Sequence, residues 1–371
     1  MRESSINPTT AKKQGFFSLD LAVINDIVAD GATAEEAAAF IVLTRGTTKG
    51  NAISTHGANS VAARTGMTNY KANNVLEDLK CRHYIWPAEV VDGYSKKRAP
   101  RWRIREYPSP LLVPISNSLI DGIGEGKNNP PLARILNDVQ LAQNGTMAEA
   151  RLDTLVVMLH LYKYHSIADF GGIDPRSGVY QSWQGTENSN GIEVETINSK
   201  YSLVEIEPDC MHYQPKFANE ALSYIENDDE RIIRFLNAFE NLKRFGIVYE
   251  VTQIWSDDPN KISDAEPLYT LYIHDRHARN SDPYLSREIH SAMLKLQIMD
   301  ARQEFSCYEK QRSENIVESG RYRYFVNTKN GGFPIGIFRL RFRPGTKDTG
   351  KGMAAEQRRV DHWSEILSSI K

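Results

Sequence analysis

Residues 58–85, ANSVAARTGMTNYKANNVLEDLKCRHYI, constrain what this chain can fold into more tightly than any other stretch. Val61, Met67, Ala72, Val75 and Leu79 recur at helical spacing, and the pattern breaks once, around Gly66. Two short helices meeting at a tight turn account for that break. Ala62 and Gly66 are the small residues such a corner needs, and glycine takes the positive φ that other residues resist. Thr68 stands where its hydroxyl can accept from an unpaired N–H of the second helix. Opposite the apolar stripe lie Asn69, Tyr70, Lys71, Asn73 and Asn74. An Asn amide pairs bidentately with adenine in the major groove, and Lys reaches guanine or phosphate.

The residues around this pair extend the pattern. Thr33-Ala-Glu-Glu36 is a capping box that opens a helix through Leu43, with Ala38, Phe40, Ile41 and Val42 apolar and a further helix expected at Ser18–Ala29. After the corner, Tyr84–Val91 reads as a strand, Asp92–Arg98 (DGYSKKR) as a turn and Arg101–Arg105 (RWRIR) as a returning strand. Helix, turn, helix and β-hairpin over residues 33–105 resemble the winged-helix-turn-helix family of DNA-binding proteins. The resemblance implies that the helix capped by Thr68 enters the major groove of double-stranded DNA, with Asn69, Tyr70, Asn73 and Asn74 toward base edges. Lys71 and the wing cations Lys96, Lys97, Arg98, Arg101 and Arg103 would then hold phosphates. Six such contacts would give a slope of roughly −5 in log affinity against log salt. The same unit used only as a protein dock would leave the asparagines as solvated surface.

A formal charge of −2 over 371 residues looks unsuited to nucleic acid, but the charge is segregated. Residues 51–105 hold ten Lys/Arg against four Asp/Glu, and residues 321–371 hold eleven against four. Residues 131–320 hold eighteen against thirty, which suggests surfaces with different partners and a protein partner or self-association through the acidic middle. No apolar run approaches the ~18 residues of a membrane span, and the first fifteen residues lack the apolar core of a signal peptide, so a cytoplasmic location is expected.

The expected fold class is α+β: tandem winged-helix domains with a long C-terminal helix and a β-hairpin. Residues 1–110 would form the DNA-binding winged helix. Residues 111–145 would be a linker, since 106–130 carry four prolines and several glycines. Residues 146–280 would form a second, acidic winged-helix-like domain, opened by the capping box Thr146-Met-Ala-Glu149 and a helix with Leu152, Leu155, Val156, Leu159 and Tyr162 on one face. Asp228 or Asp229 would cap the helix RIIRFLNAFENLKRFG. A short repeat supports this domain: Val75-Leu-Glu-Asp-Leu-Lys80 and Ala238-Phe-Glu-Asn-Leu-Lys243 both precede a strand. Residues 281–371 would supply a helix from Asp282-Pro283, a hairpin at Asn330-Gly331, and a last helix near Met353–Ile370. In that hairpin Arg339, Arg341 and Arg343 alternate with Phe338, Leu340 and Phe342, giving a second basic surface or salt bridges to the acidic middle.

Catalytic chemistry finds no foothold. The three cysteines, Cys81, Cys210 and Cys307, are far apart, with Cys81 expected to be partly buried. His274 and His277 form an H-x-x-H pair without the further ligands a metal needs. Glu193/Glu195 and Glu205/Glu207 alternate on expected strands, as in some metal nucleases and in many solvated sheets. No nucleophile or phosphate-loop motif occurs, so no enzyme, cofactor or metal is expected. The function expected is sequence-specific binding of double-stranded DNA as a transcriptional regulator. The tandem arrangement is loosely similar to plasmid replication initiators, and a non-catalytic adaptor is the third class.

Overall fold

Helix α2 is where the N-terminal sequence pattern turns into packing. In the computed structural model of the chain, strand β1 (Phe16–Asp20) runs into α1 (Leu21–Ala29), followed by α2 (Ala34–Arg45). The structure describes residues 15–47, 52–88, 101–122, 129–166, 171–177, 179–182, 192–196, 201–206, 212–213, 217–255, 264–265, 267–271, 322–327 and 333–344. Thr33 caps α2 with the full reciprocal box: its hydroxyl accepts from Glu36 N at 3.3 Å, and Glu36 accepts from Thr33 N at 2.7 Å. The alanines of α2 let neighbours approach on every side, so Ala37 through Leu43 are all buried. Asp20 ends β1 by capping α1 through Ala22 N at 3.1 Å, so the helix expected at Ser18 begins three residues later, and Ser18–Asp20 are strand.

Around α2 stand β2 (Ile53–Ser54), α3 (Ala58–Thr65), α4 (Asn69–Cys81), β3 (Ile85–Pro87) and β4 (Trp102–Ile104). Strands β2, β4 and β3 form one antiparallel sheet in that order. The next stretch corrects an expectation. Residues 111–145, read from composition as a linker, contain β5 (Leu112–Ser116), α5 (Asn117–Asp121) and α6 (Pro131–Asn137). β5 pairs antiparallel with β1, burying Phe17 and Leu19 beside Val113 and Ile115. Pro114 is tolerated in an edge strand, and Pro131 opens α6 at its first position.

α7 (Met147–Tyr164) begins at the expected box, with Thr146 and Glu149 exchanging bonds. Its burial runs nearly all round from Asp153 to Tyr162 rather than along one face. α8 (Ala218–Ala221) precedes α9 (Asp228–Arg244), which is capped by Asn227, one residue before the expected aspartates, accepting from Glu230 N at 2.9 Å. α7 and α9 are tied by a buried polar cluster. Arg234 grips Asp153 bidentately at 2.7 and 2.9 Å, Tyr224 donates to the same carboxylate at 2.5 Å, and Glu230 and Glu149 take the remaining guanidinium nitrogen.

The repeat seen in the sequence has a structural counterpart. α4 ends with Tyr84 N donating to Leu79 O at 2.9 Å around His83 at φ 61°, and α9 ends with Ile247 N donating to Leu242 O at 2.9 Å around Gly246 at φ 62°. Both are the left-handed closure that satisfies the last helical carbonyls and turns the chain into a strand.

The chain divides into two units. The helical one comprises residues 1–163, 218–247 and 341–350, and the other residues 164–217, 248–340 and 351–371. Segment 146–280 is therefore shared between them. The second unit is built of strands β6 (His165–Ser166), β7 (Gly172–Ile173), β8 (Tyr180–Ser182), β9 (Ile192–Thr196), β10 (Tyr201–Ile206), β11 (His212–Tyr213), β12 (Val248–Trp255), β13 (Pro267–Leu271), β14 (Tyr322–Asn327) and β15 (Phe333–Leu340). They form a five-stranded sheet β11-β8-β15-β12-β13, a three-stranded sheet β14-β10-β9 and the pair β6-β7.

The two strands expected to pair as a hairpin do not pair with each other, and Asn330-Gly331 lie outside the described residues. β14 pairs with β10, and β15 pairs with β12 and β8, in different sheets. The expected strands were right, but their partners lie far away in sequence. The long helix from Asp282-Pro283, the C-terminal helix, the His274/His277 pair and Cys210 lie outside the described residues. Among the described residues no helix is long and apolar enough to cross a membrane.

Candidate nucleic-acid interface

The corner between α3 and α4 forms for the reasons the sequence suggested. Gly66 has φ 74°, and its N–H donates to Ala62 O at 3.0 Å. Asn137 of α6 braces the corner from behind, donating to Thr65 O and Ala133 O, each at 2.7 Å. A Cβ at position 66 would stand 2.6 Å from the Asn137 amide nitrogen. Thr68 caps α4 by accepting from Lys71 N at 3.2 Å.

α4 buries Ala72, Val75, Leu76 and Leu79, and this sets which side chains face out. Asn69, Tyr70, Lys71, Asn73 and Asn74 are all exposed, Tyr70 to 78%, an unusual amount for so large a ring. Asn73 turns one amide hydrogen back to Asn69 O at 2.8 Å. Glu77 and Asp78 are exposed one turn further on, and Cys81 is exposed rather than partly buried.

Lys71 has a partner that the sequence did not indicate. Its ammonium donates to Glu35 Oε1 at 2.6 Å, across to the first turn of α2. Burial works to raise the Glu35 carboxyl, and the Lys71 hydrogen bond and charge overcome this and hold it below its ordinary value. The neighbouring cations are committed in the same way. Arg45 and Arg64 both reach Asp121 at 2.8 Å, Lys80 reaches Glu77 at 2.7 Å, and Arg82 reaches Glu36 at 3.0 Å. Asp121 is half-buried, which favours its neutral form, yet its two arginines keep its carboxyl below the usual range. Among the described residues, every Lys or Arg from α2 to Arg82 is matched by a carboxylate.

The β2-β4-β3 sheet behaves differently. Trp102 and Ile104 are buried, so Arg103 between them faces out. In register it stands between Ile53 of β2 and Trp86 of β3, whose ring is 39% exposed. Arg101 is half-buried, and among the described residues neither Arg101 nor Arg103 has a carboxylate within ion-pair distance. Arg105 lies over the rings of Tyr84 and Tyr107, 5.3 and 5.0 Å from their centres. The wing-tip residues Lys96, Lys97 and Arg98 lie outside the described residues.

The second basic surface does not survive as expected. Arg339 is 1% exposed, and its Nε donates to the carbonyl of Gly171. Gly172 explains the close approach: a Cβ there would meet Phe338 O at 2.5 Å. Arg343 is half-buried, and only Arg341 is exposed.

Sequence reasoning missed two things. Asp121 is distant in sequence from the arginines it joins, and nothing local marks it. The Trp86–Arg103 pairing was recoverable, because RWRIR alternates and Trp102 and Ile104 claim the inward face. Among the described residues no cluster of His, Cys, Asp or Glu is arranged to hold a metal ion. Compared with family models, with curated proteins and with solved structures, the chain matches none.

Proposed function

We propose that this chain is a sequence-specific double-stranded DNA-binding protein acting as a transcriptional regulator, with α2, α3, α4 and the β2-β4-β3 sheet serving as a winged helix. One observation carries the reading. α4 follows a left-handed corner and presents Asn69, Tyr70 and Asn74 to solvent, one short helix of groove-sized width, while the adjoining sheet turns Arg103 outward. Base-edge contacts from the helix and phosphate contacts from the sheet are the division of labour such recognition needs.

The carboxylates Glu77 and Asp78 on the same exposed helix favour a second reading, a protein-docking module, because they repel phosphate along half of α4. Genomic fragment selection with the purified chain at two salt concentrations separates the two. Enrichment of a short palindrome, lost in an N69A/N74A/R103A triple variant, supports the regulator. Direct repeats at an origin point instead to a replication initiator. Recovery of no motif at either salt overturns DNA recognition in favour of the adaptor.

A further inference from the structure

We infer that α4 reads adenine–thymine edges through neutral amides and the Tyr70 ring, and leaves the cationic anchoring of the duplex to the β2-β4-β3 sheet. This rests on the DNA-binding reading above. The helical phase supplies the first argument. The residues opposite buried Ala72, Val75 and Leu79 are Tyr70, Asn74, Glu77 and Cys81. Lys71 lies about a quarter turn aside from Tyr70, on the flank toward α2. There Glu35 holds it at 2.6 Å.

Base chemistry supplies the second argument. Guanine offers two acceptors to the major groove, which call for a side chain with several donors, Arg or Lys. Adenine offers one acceptor and one donor, which an amide matches with its NH2 and its oxygen. Asn74 carries an exposed amide of this kind on the outward face and Asn69 one a quarter turn to the side away from Lys71, in the first turn of the helix, while Asn73 has spent one hydrogen on Asn69 O. An apolar surface such as the Tyr70 ring suits the thymine methyl. The other route to a G·C pair is a carboxylate accepting from cytosine; Glu77 is engaged by Lys80 at 2.7 Å, and Asp78 stands a full turn beyond Asn74. With Arg45, Arg64 and Arg82 also paired, each described cation of α2, α3 and α4 has to leave a carboxylate before it can read guanine.

The test uses the whole chain and the duplex recovered by fragment selection, remade one position at a time. 7-Deazaadenine removes the N7 acceptor of adenine, 7-deazaguanine that of guanine, and uracil removes the thymine methyl. At one or two adenines 7-deazaadenine is expected to weaken binding about tenfold or more, with uracil weakening it at an adjacent thymine. 7-Deazaguanine should change affinity less than about twofold at every position. N69A and N74A should each erase the response to 7-deazaadenine at one position, and K71M should leave the whole profile as it is. A profile sensitive to guanine but not to adenine, or one altered by K71M, overturns this inference while leaving DNA binding intact. Failure to retain any duplex removes the underlying reading and this one with it.

Discussion

Lys71 and Glu35 join α4 to the first turn of α2: the ammonium donates to Oε1 at 2.6 Å, with the Lys71 side chain 53% exposed and Glu35 only 17%. The carboxylate is the more buried partner and the lysine the more exposed one. Exposed pairs of this kind contribute about 1 kcal/mol or less to stability, so breaking one should leave the fold standing. With Lys71 withdrawn, the remaining candidate phosphate contacts are Lys96, Lys97, Arg98, Arg101 and Arg103, and the slope of log affinity against log salt should be no steeper than about −4.5. E35Q should free the lysine, tighten binding at low salt and steepen the slope by about one unit. A titration in which E35Q leaves both slope and affinity unchanged would place Lys71 away from the duplex altogether.

The two left-handed helix ends differ in what occupies them, and the difference is measurable. Gly246 holds φ 62° with no Cβ to strain, whereas His83 holds φ 61° with one. A non-glycine residue in this region costs roughly 1–2 kcal/mol. H83G should therefore raise the urea midpoint by an amount equivalent to about 1 kcal/mol. G66A should lower it by more than that, because its new Cβ adds the 2.6 Å approach to Asn137 to the same backbone cost. Equal midpoints for all three proteins would contradict the argument.

These cases also show which features a sequence exposes. The boxes at Thr33/Glu36 and Thr146/Glu149, the Thr68 cap and the Gly66 corner each join residues within four positions, so the pattern and the interaction occupy the same window. The β1–β5 ladder joins Phe16 to Ser116, and no local signal marks such a pairing. Asn330-Gly331 has turn chemistry, yet β15 finds better partners in β12 and β8, whose pairing depends on the whole sheet. At the candidate site the outward amides of α4 were legible from helical phase. The capture of Lys71 by Glu35 was not, because an ion pair between two helices depends on how they cross.

The Arg234–Asp153 pair makes a sharper stability prediction. Arg234 is 7% exposed and Asp153 3%, and the carboxylate holds the guanidinium above its ordinary range. Burial and the adjacent carboxylate keep the Tyr224 hydroxyl protonated, so it remains a donor. Removing one member of a buried pair costs about 3–5 kcal/mol, because the other charge stays desolvated. D153A should fall at the low end, since Glu149 and Glu230 still reach Arg234 at 3.3 and 3.1 Å. D153A/R234M, which removes both charges, should recover part of the loss in urea denaturation. A double variant no more stable than D153A alone would mean that the pair acts through packing and not through charge.

Acid should weaken the helical unit through its buried histidines. His160 is fully buried on α7, with Nε2 3.1 Å from Asn25 Oδ1, and burial lowers its pKa to about 4 against the opposing pull of Glu220. The unfolded chain takes up a proton near pH 6.5 and the folded protein only near 4, so unfolding gains protons as pH falls between these values. Stability is therefore full above 6.5 and declines toward 4, by about 2 kcal/mol between pH 7 and pH 5. His56 is lowered by burial and adds a loss of the same sign. Glu35, Asp121 and Glu149 are held below their ordinary values, so their stabilisation persists above about pH 4.5 and disappears only below it. Burial raises the Asp153 carboxyl, which works with the opposite sign, so the histidine part is read from the difference between wild type and H160N in urea midpoints at pH 7, 6 and 5. H160N should flatten most of the decline, and a wild-type protein equally stable at pH 7 and pH 5 would show that the folded state protonates His160 as readily as water does.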